Sequence, residues 1–229
     1  MSSPLNIAID GPAGAGKSTV AKKLADKLGA EYTYIDTGAL YRAIAYQAIK
    51  FNTDLYNEEA VYEIAKSTKL AFDSNNNVLI NGEEKSEEIR TPEVSNNVSQ
   101  VATYPKIRNH ILILLRKLAM DGGVVMDGRD IGSFVIPTAD VKIFLTADID
   151  QRAKRRASEL QQKNFDVDIK VLKQEILLRD QKDSEREQAP LIQAPDAILL
   201  DTTNLSINEV VEEINDVCEK VLRSRHVKE

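Results

Sequence analysis

Apolar residues along this chain follow two rhythms. Five short runs, Leu5 to Asp10, Tyr32 to Asp36, Val124 to Asp127, Val141 to Thr146 and Ala197 to Asp201, are rich in aliphatic or aromatic residues. Runs of this kind, bounded by polar residues, read as buried strands. Between them, apolar residues recur at three- and four-residue spacing, the signature of helices. Strand and helix alternate, which predicts an α/β fold with a parallel sheet covered on both faces. Several runs end in a polar residue, Asp10, Asp36, Asp127, Thr146 or Asp201. Ligands of such sheets bind beyond the carboxyl ends of the strands, so chemistry is expected at those positions.

The clearest helix is the last. Ser206 with Glu209 forms a capping box, and Ile207, Val210, Val211, Ile214, Val217, Cys218, Val221 and Leu222 form one apolar stripe. Cys218 therefore reads as core, since nothing near it in sequence would stabilise a thiolate. Two stretches interrupt the alternation. Leu70 to Asp73, the turn Ser74-Asn75-Asn76-Asn77, and Val78 to Asn81 before Gly82 predict a small antiparallel hairpin or meander within an insertion at about 64–96. On spacing alone this is either a solvated excursion or a functional subdomain. The charged stretch Asp148 to Gln188 predicts helices broken near Lys163-Asn164-Phe165-Asp166. It reads either as a solvated face or as an arginine-bearing lid.

The loop after the first strand narrows the choice. Gly11-Pro12-Ala13-Gly14-Ala15-Gly16-Lys17-Ser18 fits the pattern GxxxxGK[ST], and Thr19 opens a helix that Gly29 stops. Glycines let such a loop curl its N–H groups around phosphates, Lys17 reaches the β and γ phosphates, and Ser18 holds Mg²⁺. A nucleoside triphosphate is the expected ligand. Asp127, at the end of an apolar strand, suits either a Mg²⁺ carboxylate acting through water or a cap for the following turn.

Composition bounds the rest. At 229 residues, 42% hydrophobic and 29% charged, the chain suits one α/β domain with an insertion and a single core. No apolar run is long enough to span a bilayer. Met1-Ser2-Ser3-Pro4 does not resemble a secretory leader, and one cysteine suits a reducing compartment, so a cytoplasmic enzyme is expected. A net charge of -6 argues against nucleic acid as a partner. The placement of Arg42, Arg108, Arg129, Arg152, Arg155, Arg156, Arg179 and Arg186 suits a small anionic ligand instead. Phosphoryl transfer depends mainly on positioning and charge neutralisation, and Arg152, Arg155 and Arg156 on one helical stretch are candidates to reach the transferring group, with pairing to Glu159 as the alternative. In Gly128-Arg129-Asp130-Ile131-Gly132, ligand contact explains Arg129 better than a surface pair with Asp130. His110 and His226 lack companions at metal-ligand spacing, so no protein-only metal site is expected.

Four ordered motifs then carry a family resemblance. Asp10 to Ser18, Asp36-Thr37-Gly38-Ala39-Leu40-Tyr41-Arg42, Asp127 to Gly132 and Arg179-Asp180-Gln181-Lys182-Asp183 resemble bacterial cytidylate kinases over essentially the whole chain. The resemblance implies a P-loop nucleoside monophosphate kinase fold with a five-stranded parallel sheet in order 2-3-1-4-5, a small inserted β subdomain that binds the monophosphate, and a helical lid at about 148–188. It implies transfer of the γ-phosphoryl group of ATP, with Mg²⁺, to CMP or dCMP by a monomer. Ser99, Arg108 and Asp130 would read cytosine, and Arg179 and Asp183 the acceptor sugar. Tyr41, Arg42, Arg129 and Arg186 would hold the acceptor phosphate, with Thr37 beside the nucleotide. Asp201 to Ser206 resembles the loop flanking the adenine of ATP. Two other classes stay open: another small-molecule phosphotransferase, such as an adenylate or shikimate kinase, and a switch-like nucleotide-binding module. An Asn-Lys-x-Asp guanine motif is absent from the sequence.

Overall fold

The computed structural model describes residues 3–73, 75–162 and 164–226. Met1, Ser2, Ser74 of the expected turn and Lys163 of the expected helix break lie outside the described residues, as does the side chain of His226. The elements in chain order are β1 (Ile7–Asp10), α1 (Lys17–Leu28), β2 (Thr33–Asp36), α2 (Thr37–Lys50), α3 (Glu58–Ser67), β3 (Leu70–Phe72), β4 (Val78–Ile80), β5 (Glu83–Glu84), α4 (Pro92–Val101), α5 (Pro105–Leu118), β6 (Val124–Asp127), β7 (Val141–Thr146), α6 (Ile149–Gln162), α7 (Ile169–Ser184), β8 (Ile198–Asp201) and α8 (Ile207–His226). A 3₁₀ turn at Glu88–Arg90 and one π-helical turn at Ile131–Val135 complete them. No described helix is long and apolar enough to cross a membrane.

Two compact units divide the chain, one of residues 1–34 and 121–229, the other of residues 35–120. The first carries the five-stranded sheet in the order β2-β6-β1-β7-β8, which is 2-3-1-4-5 when only its own strands are counted. β1 pairs in parallel with β6 (Ile7 opposite Val125) and with β7 (Ile7 opposite Val141), and β7 pairs in parallel with β8. β1 and β6 are buried at every residue, as continuous apolar strands between two layers of helix must be. The expectation of burial fails at β8, where Ile198 and Leu199 are exposed, because an edge strand is covered on fewer sides.

Behind the sheet, α1 packs on α8, and Val20, Leu24, Ile7, Ile9, Val125, Ile143, Val210, Ile214 and Cys218 share one apolar cluster. Each fully buried aliphatic side chain there contributes about 1.5–3 kcal/mol. The capping box forms: the Ser206 amide donates to Glu209 Oε2 at 2.8 Å and the Glu209 amide to Ser206 Oγ at 3.3 Å. Ile207 departs from the expected stripe and is exposed in the first turn of α8. Burial pushes the Cys218 thiol up to about 12, so it stays a protonated core residue.

The unit of residues 35–120 has its own core of Ala39, Ala43, Val78, Ile80 and Ile89, with Tyr46, Leu70 and Phe72 against it. The expected hairpin is present, with Leu70 opposite Ile80 and Phe72 opposite Val78, and β5 adds a short third strand. His110 meets the edge of the Tyr62 ring, a packing role.

Candidate active site

The phosphate loop joins β1 to α1, the strand-before and helix-after context that the motif requires. Gly11 has φ +145°, and a Cβ there would stand 2.0 Å from the Leu145 carbonyl oxygen. Only glycine fits this close approach. Gly16, at φ +92°, is the residue from which α1 departs. Lys17 is buried and its Nζ donates to the Pro12 carbonyl at 2.7 Å. Burial, then Arg129, holds the Lys17 pKa well below the usual lysine value, while Asp127 acts in the opposite direction. A phosphate brought to this lysine meets an amine that has already been desolvated.

Ser18 Oγ donates to Asp127 Oδ2 at 2.8 Å, and the Tyr34 hydroxyl donates to Asp127 Oδ1 at 2.8 Å. The Ser18 hydroxyl and the Asp127 carboxylate are hard oxygen ligands side by side, the donor type that Mg²⁺ takes. Among the described residues no group of three or more His, Cys, Asp or Glu could hold a metal. A cation at Ser18 and Asp127 would therefore draw its remaining ligands from nucleotide phosphates and water.

Beyond β6, Arg129 turns away from its neighbour in sequence. Its Nε donates to Asp183 Oδ2 at 2.8 Å, and Arg186 stands 3.2 Å from Asp183 Oδ1. Burial alone would lower the Arg129 pKa and raise that of Asp183. Their pairing outweighs it in both, so Arg129 is raised and Asp183 lowered, and both stay charged at neutral pH. The surface pair weighed for Arg129 with Asp130 is thus replaced by a buried one with α7.

Asp130 is buried at the start of the π-helical turn, which closes through Val135 N to Asp130 O at 3.0 Å and Ile136 N to Ile131 O at 2.8 Å. The turn is held from beneath by Asp10, which accepts from the Ile131 amide at 2.8 Å and the Gly132 amide at 2.7 Å. Burial raises the Asp10 pKa to about 7 against the pull of these two N–H groups, and Asp130 raises it further. In the sequence Asp10 stands out as a strand end and as the first residue of the phosphate-loop motif, with no partner indicated. The signal for more was a carboxylate closing a strand with no exposed face.

The three arginines of α6 have separate destinations. Arg152 is buried, with Nε on the Ala147 carbonyl at 3.0 Å, NH1 on the Ala13 carbonyl at 3.0 Å, and an ion pair to Asp180. Arg155 binds Thr202 through its hydroxyl at 2.9 Å and its carbonyl at 2.6 Å. Arg156 pairs with Glu159 at 3.0 Å on an exposed face. Arg152 and Arg155 thus lie at the phosphate loop and at the loop after β8, while Arg156 takes the alternative partner. Thr202, in the stretch that resembles an adenine-flanking loop, is itself anchored to the Thr146 carbonyl at 3.0 Å.

In the unit of residues 35–120, Asp36 caps α2 by accepting from the Ala39 amide at 3.0 Å, pairs with Arg90 at 2.8 Å and stands 3.8 Å from Arg42. A Cβ on Gly38 would lie 3.0 Å from the Arg42 guanidinium, so glycine makes room for this arginine. Thr37 begins α2 and is buried, and Tyr41 follows it by one turn. The Arg108 guanidinium, buried on α5, lies over the Tyr41 ring at 5.6 Å and donates to the Ala102 carbonyl at 3.2 Å. Ser99 is half-buried on α4. Arg90 was not singled out in the sequence, and only its fold-imposed pairing with Asp36 reveals it. The expected residues divide between the units: Thr37, Tyr41, Arg42, Ser99 and Arg108 lie here, and Lys17, Ser18, Asp127, Arg129, Asp130, Arg179, Asp183 and Arg186 in the sheet unit.

The family model described as cytidylate kinase matches residues 7–220. A Bacillus cereus protein named cytidylate kinase is 51% identical over 220 residues, covering 95% of this chain and 97% of its own. A Bacillus thuringiensis protein of the same name is 52% identical over 217 residues, covering 93% and 96%. Among solved structures, an uncharacterised protein from Eubacterium ventriosum superposes with a TM-score of 0.51 at 15% identity, covering 93% of this chain and 97% of that one, a likeness of fold.

Proposed function

This chain belongs to the cytidylate kinase family, and from that premise we propose that it transfers the γ-phosphoryl group of ATP to CMP or dCMP, forming CDP or dCDP. A phosphate oxygen of the acceptor attacks the γ-phosphorus, a new P–O bond forms as the bond to the β-phosphate bridging oxygen breaks, and ADP leaves. The negative charge in this transfer is met by fixed cations rather than by covalent chemistry.

The observation that supports this reading best is the company Lys17 keeps. A complete phosphate loop lies in the same unit as the Arg129-Asp183-Arg186 cluster, whose carboxylate is buried, and Arg129 is close enough to depress the lysine pKa. Lys17 and the loop amides of residues 14–19 bind the donor phosphates, and Arg129 and Arg186, with Tyr41 and Arg42, bind the acceptor phosphate. Ser18 and Asp127 would hold Mg²⁺ with ATP, which supplies further charge neutralisation on the phosphates. Asp130 accepts from the exocyclic amine of cytosine, Arg108 donates to its ring acceptors, and Ser99 completes the base contacts. Arg179 and Asp183 contact the acceptor sugar, and Thr37 lies beside the nucleotide. Residues 64–96 serve as the monophosphate-binding subdomain, and residues 148–188 as the lid whose arginines Arg152 and Arg155 approach the donor phosphates, with Arg156 doing so only on leaving Glu159.

An acceptor panel tests the proposal. With ATP and Mg²⁺, ADP release should be fast with CMP and dCMP and slow with AMP and shikimate. Preference for AMP, or no release with either cytidine nucleotide, contradicts it.

A further inference from the structure

Ala13, in the first turn of the phosphate loop, is held on three sides. Its amide donates to Asp180 Oδ1 at 2.9 Å, its carbonyl accepts from Arg152 NH1 at 3.0 Å, and its methyl packs against Ala153 and Ile176. Asp180 and Arg152 are themselves ion-paired, so a carboxylate, a guanidinium and one peptide of the loop close a small ring of charge-assisted bonds. The next residue, Gly14, has φ +76°, and a Cβ there would come within 2.9 Å of the Arg152 carbonyl oxygen, so α6 lies directly on the loop.

Asp180 also has a place on α7 that few residues share. It follows Arg179 and precedes by three residues Asp183, which holds Arg129 and Arg186. One face of α7 therefore touches the phosphate loop through Asp180 and the arginine cluster through Asp183. The charge of Asp180 is felt at both Lys17 and Arg129.

We propose that Asp180 is a positioning residue for phosphoryl transfer: by tying the Ala13 amide and Arg152 to α7, it sets the register between the phosphate loop and the Arg129-Asp183-Arg186 cluster. This rests on the kinase reading above for its effect on turnover, but not for its effect on nucleotide binding. The loop presents its phosphate-binding amides from a backbone whose first turn Asp180 fixes, so ADP affinity depends on it whichever acceptor is used. Turnover depends on it more steeply, because a displacement of about 1 Å costs on the order of 10²-fold in rate.

The full chain and the variants D180A, D180N, R152A and R152A/D180A test this, with ADP affinity by calorimetry, kcat and KM for CMP, and thermal melting for each. D180A is expected to weaken ADP binding about tenfold and to lower kcat by on the order of 10²-fold, with KM for CMP within about twofold. D180N keeps an oxygen for the Ala13 amide and should recover part of the ADP affinity. The double variant should lose little more than the worse single variant, since both act through one ring. Wild-type ADP affinity in D180A, losses that track only the unfolded fraction, or additive losses in the double variant each overturn the proposal. A wild-type chain inert toward CMP, together with weakened ADP binding in D180A, removes the kinase reading and leaves the positioning role standing.

Discussion

A set of ionisable side chains in the phosphate-loop unit is shut away from solvent, whereas the arginines beside the buried Asp36 in the other unit are partly open. Asp10, Lys17, Asp127, Asp130, Asp183 and Arg152 are all buried. Their partners are backbone amides and carbonyls or other charges, as with Asp10 on two amides and Asp183 between the half-buried Arg129 and Arg186. Around Asp36, the Arg90 side chain is 39% exposed and that of Arg42 20%. Burying charge is costly unless every group is matched, so the first cluster is a preassembled device whose parts hold one another in place. Pairs open to water exchange partners cheaply. That suits residues 35–120 to accept a phosphate from solution by trading a carboxylate for it.

Lys17→Ala offers the hardest test of this contrast. It removes the desolvated amine proposed to meet the phosphates, and kcat is expected to fall by about 10³-fold or more. Because Lys17 Nζ also holds the Pro12 carbonyl, ADP affinity should fall as well. Steady-state kinetics of CMP phosphorylation checks the first and calorimetry the second. Turnover within tenfold of wild type would mean that the buried cluster is a structural core and not a catalytic one.

Asp10→Asn examines the cost of burial directly. The folded pKa of Asp10 is raised from 3.8 to about 7, so the folded chain holds this proton more tightly than the unfolded chain. Its stabilising contribution is then fully present below pH 3.8 and is lost as pH rises through 7. The stability of wild type relative to Asp10→Asn should therefore decline between pH 4 and pH 8, by on the order of 4 kcal/mol, since each tenfold difference in proton affinity is worth about 1.4 kcal/mol. Asp183, whose pKa moves in the opposite direction, is present in both proteins and cancels in the difference. Urea unfolding of both across this range measures it. A flat difference would show that the two amide bonds keep Asp10 ionised without strain.

Legibility in the sequence follows the same division between local and distant causes. β6 and β7 were readable to the residue because a strand buried on both faces needs an apolar run of its own length. The phosphate loop and the Ser206-Glu209 box were readable because their geometry is closed within a few residues. Partner choice was not. Arg129 stands beside Asp130 in the chain yet pairs with Asp183, 54 positions away, and Arg152 reaches Ala13 across 139. Nothing in spacing encodes such pairings, since they are set by where the sheet and helices place strand ends. For the same reason Arg90 looked ordinary in the sequence, the partners of Asp10 and Asp180 could not be read from their motifs, and the exposed face of β8 looked like a buried strand.

Arg42→Gln tests the open cluster. Arg42 stands 3.8 Å from Asp36, an ion pair at the long end of the range, with room for the guanidinium made by Gly38. If this arginine is held ready for an acceptor phosphate, its loss removes a charge-assisted bond of about 1.5–3 kcal/mol from the bound state. KM for CMP should then rise by roughly 10- to 100-fold. Stability should hardly move, because a partly exposed pair is worth about 0.2–1 kcal/mol, or at most about 4 °C in a chain of this size. Acceptor titrations and a thermal melt separate the two. A large fall in melting temperature with KM unchanged would place Arg42 in the same class as the buried charges and erase the distinction between the clusters. A raised KM at constant stability would show that residues 35–120 keep their cations in reserve for a ligand.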